Sequence, residues 1–222
     1  MELRPIAHIR NSFKEKFGIP RQSGLSDIVS EIVFEKEFRD ANALRGLEGF
    51  SHIWLIWGFS ANKDESSFRP TVRPPRLGGN ERAGVFATRS PFRPNPIGLS
   101  SVVLEEILKT EEGPVLKIRG ADLMDGTPIY DIKPYLREFD CHPDARSGFV
   151  DNREFETLEV VFPQELLDKI PEQDRMALVQ ALKQDPRPQY QDDPDRVYGM
   201  LFGNQNIRFS VCDKKLTVIA IE

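Results

Sequence analysis

The sequence predicts a mainly β N-terminal domain, barrel-like and not of the Rossmann type, followed by a small α+β C-terminal domain. Closely spaced runs of β-branched and aromatic residues fill the first two-thirds of the chain with little helical periodicity between them, which favours a barrel or strongly curved sheet over alternating β and α units. No Gly-x-Gly-x-x-Gly fingerprint follows any of these runs, and Gly78-Gly79 lacks that spacing. A polar, turn-rich stretch over 138–153 then gives way to a strand, two helical patterns and three short strands, so domains are expected at 1–140 and 154–222.

In chain order, the first strands fall at 6–10 and 28–34. A helical turn or two fits 38–47, where Phe38, Ala41, Leu44 and Leu47 recur about every three residues and Gly46 and Gly49 close the segment. Ile53-Trp54-Leu55-Ile56-Trp57 is a nearly continuous apolar run, expected to be a central strand buried on both faces. Further strands are expected over 84–88, 99–107, 115–123 and 129–132, with Glu111-Glu112-Gly113 as a solvated hairpin connection and Asp125-Gly126 shaping a second hairpin. Beyond the linker, Leu158, Val160 and Phe162 alternate as a strand and Pro163 starts a helical turn. Residues 172–183 read as a helix with Met176, Val179 and Leu182 on its core face, and strands follow around 197–202, 207–211 and 216–219.

The 222 residues are 39% apolar and 29% charged, enough for a substantial core, and contain no tract long enough to cross a bilayer. Met1-Glu2-Leu3-Arg4-Pro5 lacks the basic flank and apolar stretch of a signal peptide, so a cytoplasmic location away from membranes is expected. Cys141 and Cys212 lie too far apart in sequence to form a Cys-x-x-Cys pair and read as free thiols. The adjacency of Cys141 and His142 is poor chelating geometry, so no metal is expected.

A net charge of -5 argues against a protein that coats nucleic acid with a uniformly basic surface. Locally the sign reverses. From Arg69 to Arg93 there are six arginines, at 69, 73, 76, 82, 89 and 93, against the single acid Glu81 and with no lysine. Guanidinium forks grip phosphates and carboxylates bidentately and stack on bases, which lysine does not.

Arg69-Pro70-Thr71-Val72-Arg73-Pro74-Pro75-Arg76 is barred by its prolines from regular helix and from a central strand, and is expected to be a stiff extended loop: either an anion-binding wall or a braced surface crossing. Gly84 to Ser100 places three prolines around Arg93 and Asn95 between apolar flanks. Asn95, held between Pro94 and Pro96, is expected to be extended and to present its amide from a rigid support, and Gly98 to mark a bulge or barrel corner. Asp122-Leu123-Met124-Asp125-Gly126-Thr127 adds two carboxylates and turn amides suited to a ribose diol or an amino group.

Arg73-Pro74-Pro75-Arg76-Leu77-Gly78-Gly79, the run Gly84-Val85-Phe86-Ala87-Thr88-Arg89-Ser90-Pro91-Phe92-Arg93-Pro94-Asn95-Pro96-Ile97-Gly98, and Asp125-Gly126-Thr127-Pro128 with Asp131-Ile132-Lys133-Pro134-Tyr135 together resemble the TsaA-like family, whose bacterial members include the TrmO-type tRNA methyltransferases. The likeness extends to residues 14–22 and to Asp185-Pro186-Arg187-Pro188-Gln189-Tyr190. It implies a β-barrel that binds S-adenosyl-L-methionine, a homodimer, and methylation of N6 of threonylcarbamoyladenosine beside the anticodon of threonine tRNA. By matching position it implies cofactor contacts at Pro20, Arg21, Gln22, Arg89, Leu99 and Asp122 to Thr127, that is Asp122, Leu123, Met124, Asp125, Gly126 and Thr127. Where the family pattern carries a polar pair, this sequence has Ser60-Ala61-Asn62, so contacts from Ser60 and Ala61 are expected from the backbone. Substrate contacts are expected at Arg73, Arg76, Arg93, Asn95, Arg187 and Tyr190, with Asp122 and Tyr190 the candidates for the base that an amide-like N6 requires. Two other readings remain open at this point: a non-catalytic RNA- or anion-binding module using the Arg69–Arg93 loop, and a hydrolase using Asp122 and Asp125.

Overall fold

Alternating apolar residues along the N-terminal strands are the pattern of a sheet with one dry face, and here that face curls until the sheet meets itself. The computed structural model describes residues 2–61, 68–74, 81–151, 156–188 and 193–222. The barrel strands are β1 (Ala7–Arg10), β2 (Val29–Phe34), β3 (His52–Gly58), β6 (Ile97–Thr110), β7 (Gly113–Arg119) and β8 (Pro128–Pro134), with the short ribbon β4 (Thr71–Val72) and β5 (Ala83–Gly84) outside it. The closed order is β1-β2-β7-β6-β3-β8, every neighbour antiparallel, and β1 seals it against β8 through Ala7 opposite Ile129. Closure leaves no unpaired edge among these six strands.

Ala7, Ile9, Ile32, Ile53, Leu55, Val102, Leu116, Ile118 and Ile129 point inward and are buried. β3 lies between β6 and β8, but of its large side chains only Ile53, Leu55 and Trp57 are buried. Trp54 and Ile56 are half-exposed on the outer face, so the strand is not buried on both sides. The apolar run reads as two-sided because outer positions of a barrel also carry large side chains.

Several local expectations are corrected. The 38–47 segment is a chain of short 3₁₀ turns, at Lys36–Phe38, Ala41–Leu44 and Leu47–Gly49. Of the expected 84–88 strand only Gly84 pairs, at the end of β5, after which a 3₁₀ turn runs over Val85–Ala87, closed by the Thr88 amide and hydroxyl, which donate to the Val85 carbonyl at 3.2 and 2.8 Å. β7 stops at Arg119 because Gly120 turns into the left-handed region at φ 91°. Asp125-Gly126 makes no hairpin: β7 and β8 are not neighbours in the barrel, and the segment between them crosses its end. The pairing of Trp57 with Gly98 is regular, so Gly98 is not a bulge; it is a glycine because the Trp57 indole lies across it, 2.2 Å from where a Cβ would sit. The chain bends at Asn95, and a tight turn centred on Pro96 closes through the Ile97 amide, which donates to the Asn95 carbonyl at 2.7 Å.

After α1 (Arg137–Asp140) the C-terminal part comprises β9 (Glu159–Val161), α2 (Gln164–Leu167), α3 (Glu172–Lys183), β10 (Tyr198–Phe202), β11 (Gln205–Cys212) and β12 (Lys215–Ile221). The sheet order is β10-β11-β12-β9, with β9 parallel to β12. α3 buries Asp174, Ala177, Leu178, Ala181 and Leu182, whereas Met176 is 66% exposed. The dry stripe follows the 3, 4 alternation of a 3.6-residue period, and a strict spacing of three drifts off it.

This second core also takes in Phe13 and Ile28 from the segment joining β1 and β2, with Phe17 and Ile19 packed against it. Polar links tie the same segment to α3: Ser12 to Asp174 at 3.1 Å, Ser26 to the Ala177 carbonyl at 3.0 Å, and the Asp27 amide and carboxylate to the Gln180 amide group at 2.6 and 2.7 Å. Residues 11–28 are therefore held between the barrel and the C-terminal sheet.

Candidate active site

One mouth of the barrel gathers the polar residues that the apolar alternation excludes elsewhere. On β6 the inward row runs Gly98, Ser100, Val102, Leu104, and Ser100 is 2% exposed. Its hydroxyl accepts from Trp57 Nε1 at 3.0 Å and donates to Asp122 Oδ1 at 2.6 Å. Asp122 also receives the Ser23 amide and feels the charge of Arg89, yet burial dominates and raises its carboxyl above the ordinary aspartate range. Arg89 in turn donates through Nη1 to Gln22 Oε1, and Gln22 donates to the Arg21 carbonyl.

The chain 122–127 is pinned to the 11–22 segment by Asn11. Its side chain donates to the Leu123 carbonyl at 3.0 Å and accepts the Phe13 amide, while its own amide donates to Asp125 Oδ1 at 2.9 Å. Asp125 Oδ2 accepts from Lys14 at 2.8 Å. Asp122 and Asp125 thus serve different partners and do not form the paired carboxylates of a hydrolase. Leu123 and Thr127 are buried, and the Leu123 carbonyl and both Thr127 backbone groups are hydrogen-bonded within the protein.

The remaining expected positions distribute as follows. Pro20 is buried, and Ser60 and Ala61 are exposed where β3 ends, beside the Arg/Pro loop through the bond from the Phe59 amide to the Pro96 carbonyl at 2.9 Å. Leu99 points outward, 56% exposed, on the face of β6 opposite Ser100. Arg93 is turned into its own loop, where Nη1 donates to the Thr88 carbonyl at 2.7 Å and the Val85 carbonyl at 3.3 Å. Arg73 and Asn95 are exposed. Arg187 is 9% exposed and grips Asp185 with two parallel bonds at 2.9 and 3.0 Å. Arg76 and Tyr190 lie outside the described residues.

Arg21 reaches the C-terminal unit. Burial lowers its guanidinium from the ordinary arginine value, and the opposing charge of Asp185 partly restores it. The two residues line a cleft of about 380 Å³ together with Lys16, Gln184 and Pro186. From Asp185 through Arg21, Gln22 and Arg89 to Asp122, Ser100 and Trp57 the site is one continuous polar path between the two cores. Sequence reasoning missed Asn11, Trp57 and Ser100. The signal for Ser100 was a hydroxyl at an inward position of an apolar alternation.

Among the described residues no group of three or more His, Cys, Asp or Glu is placed to hold a metal, and no helix is long and apolar enough to cross a membrane. Both cysteines are exposed and free.

The chain is thus a closed antiparallel barrel of non-Rossmann type with arginines, a glutamine and a raised carboxyl gathered at one mouth. Residues 8–141 match the profile of the tRNA-methyltransferase O N-terminal domain and residues 155–222 that of the TrmO C-terminal domain, so the chain belongs to the TrmO family. It is 41% identical over 230 residues to the tRNA (adenine(37)-N6)-methyltransferase of Escherichia coli (strain K12), covering 100% of this chain and 97% of that one. It is 42% identical over 149 residues to a Pyrococcus abyssi protein named as a probable S-adenosyl-L-methionine-binding protein, covering 67% of this chain and 75% of that one. The crystal structure of TrmO from Pseudomonas aeruginosa superposes with a TM-score of 0.78 at 31% identity, covering 100% of this chain and 98% of that one.

Proposed function

We propose that this chain methylates N6 of adenosine 37 in tRNA with S-adenosyl-L-methionine, and that its substrate is the threonylcarbamoylated adenosine of threonine tRNA. Family membership and the activity for which the Escherichia coli relative is named support the reaction. The observation that carries it is Arg89, which couples Gln22 on one segment to Asp122 on another at the barrel mouth. That donor set fits the cofactor: guanidiniums for its carboxylate, and the Asp122 carboxylate for its ammonium or ribose hydroxyls. When bound, it supplies a methyl group already activated on a sulfonium.

The protein's work is then to align the acceptor and to move one proton. Arg89, Gln22 and the 122–127 backbone fix the donor side, and the braced Arg/Pro loop fixes the acceptor side. N6 gains the methyl and gives up its proton, and Asp122 takes that proton at a carboxylate oxygen. Its raised pKa makes it a stronger base than an ordinary aspartate. Two folding units, 1–140 and 154–222, a homodimeric state and a cytoplasmic location complete the reading.

Calorimetric titration with S-adenosyl-L-methionine and a methyl-transfer assay test it together. Wild type binds the cofactor and labels threonine tRNA only when the adenosine carries its threonylcarbamoyl group. Arg89→Ala loses cofactor affinity by roughly tenfold or more, the size of a lost charge-assisted bond. Equal labelling of unmodified tRNA would sink the substrate assignment, and unchanged affinity in Arg89→Ala would sink the site.

A further inference from the structure

Phe86 is 71% exposed and Phe68 57% exposed, although both are large apolar side chains. Their rings stack on each other with centroids 6.2 Å apart and planes 26° apart, and the Arg93 guanidinium lies 5.8 Å from the Phe86 centroid. Large exposed aromatics placed side by side are informative where scattered single ones are not.

The support beneath Phe86 is rigid. Val85, 1% exposed, anchors the 3₁₀ turn, and its amide donates to the Pro70 carbonyl at 3.0 Å, binding the turn to the segment that carries Phe68. Thr88 and Arg93 close the turn from the other side by donating to the Val85 carbonyl. The step is thus held in place before any partner arrives, so little ordering entropy opposes its use.

Its surroundings decide the partner. Arg69, Arg73 and Arg82, next to the step in the chain, are exposed, while the chain as a whole carries a net charge of -5. A local cluster of arginines around exposed aromatic faces on an acidic protein complements a phosphate backbone bearing unstacked bases. We infer that Phe86 and Phe68 form a stacking platform for an unpaired nucleobase of the tRNA anticodon loop, with the neighbouring arginines meeting the phosphates that flank it. This rests on the tRNA substrate proposed above and adds the subsite that holds the loop open beside the barrel mouth. Arg93 serves it from below as a brace.

The test is fluorescence anisotropy of an unmodified anticodon stem-loop RNA with the full chain and no cofactor, over a salt series. Phe86→Ala weakens binding roughly tenfold at each salt concentration and leaves the salt slope unchanged, because stacking releases no counterions, whereas Phe86→Trp retains wild-type affinity. Arg82→Ala flattens the slope instead. Sedimentation and cofactor titration of Phe86→Ala match wild type. Wild-type RNA affinity in Phe86→Ala overturns the platform. So does a loss accompanied by a change of oligomeric state, which makes the patch an interface between copies, or of cofactor affinity, which makes it part of the cofactor wall. Because no methyl transfer is measured, a failed methylation assay refutes the function while leaving this result standing.

Discussion

Replacing Gly98 by alanine places a methyl where the Trp57 indole already lies. The added Cβ would be 2.2, 2.4 and 2.6 Å from three ring atoms, against the 3.4 Å at which ordinary contact begins, a shortfall of about 1.2 Å. Trp57 has little room to yield. It is 7% exposed, Phe59 packs on it at 4.3 Å, and its Nε1 donates to Ser100 at 3.0 Å. A displacement of that size breaks the bond to Ser100, so overpacking of about 1–3 kcal/mol adds to about 1–3 kcal/mol for a buried donor left unmatched. The expected loss is about 2–6 kcal/mol in urea unfolding. Trp57 emission, read in a Trp54→Phe background, shifts with it. Gly84→Ala is the control, since nothing lies within 4 Å of its Cβ position and its φ of -58° suits any residue. It should match or slightly exceed the parent in stability. Equal unfolding midpoints for the two variants, with Trp57 emission unchanged, would refute the packing argument.

Asp122→Asn tests the base. Burial raises the folded-state pKa of Asp122, so the fold favours its neutral form and loses stability as pH rises through that value. The asparagine variant should equal wild type in stability at low pH, exceed it above the raised pKa, and turn over about 100-fold or more slowly at saturating cofactor. Wild-type activity should rise with pH through the same value, and a variant that keeps that limb excludes Asp122 as the proton acceptor. In the C-terminal unit, Leu178→Ala should cost about 2–5 kcal/mol, because Leu178 is 0% exposed, whereas Met176→Ala should stay within about 0.5 kcal/mol. Similar losses for both would return Met176 to the core face.

The strands were legible where β-branched and aromatic residues cluster, as along Ile53-Trp54-Leu55-Ile56-Trp57, whose dry face was not, and from Leu99 to Ile107, and helix 172–183 was legible to the residue. What failed was local chemistry with more than one outcome. Asp125-Gly126 is an equally good turn in a hairpin and in a crossover, and only the barrel order, which parts β7 from β8, decides between them. Likewise Phe86 belongs to a run that reads as a strand until the Thr88 hydroxyl closes the turn beneath it.

By itself the sequence determined the fold class, because period-two burial, proline placement and the missing phosphate-binding glycines are local properties of the chain. It also marked the Arg/Pro run as the place where chemistry would lie. The tertiary structure alone decided which arginines face which partner. Arg89 donates to Gln22 and sets its charge against Asp122, Arg93 folds back on the carbonyls of its own loop, and Arg21 faces the charge of Asp185 in the other unit. A guanidinium's partner depends on groups that approach from distant segments, and burial sets whether a carboxylate such as Asp122 holds its proton. Neither is written in the residues beside it.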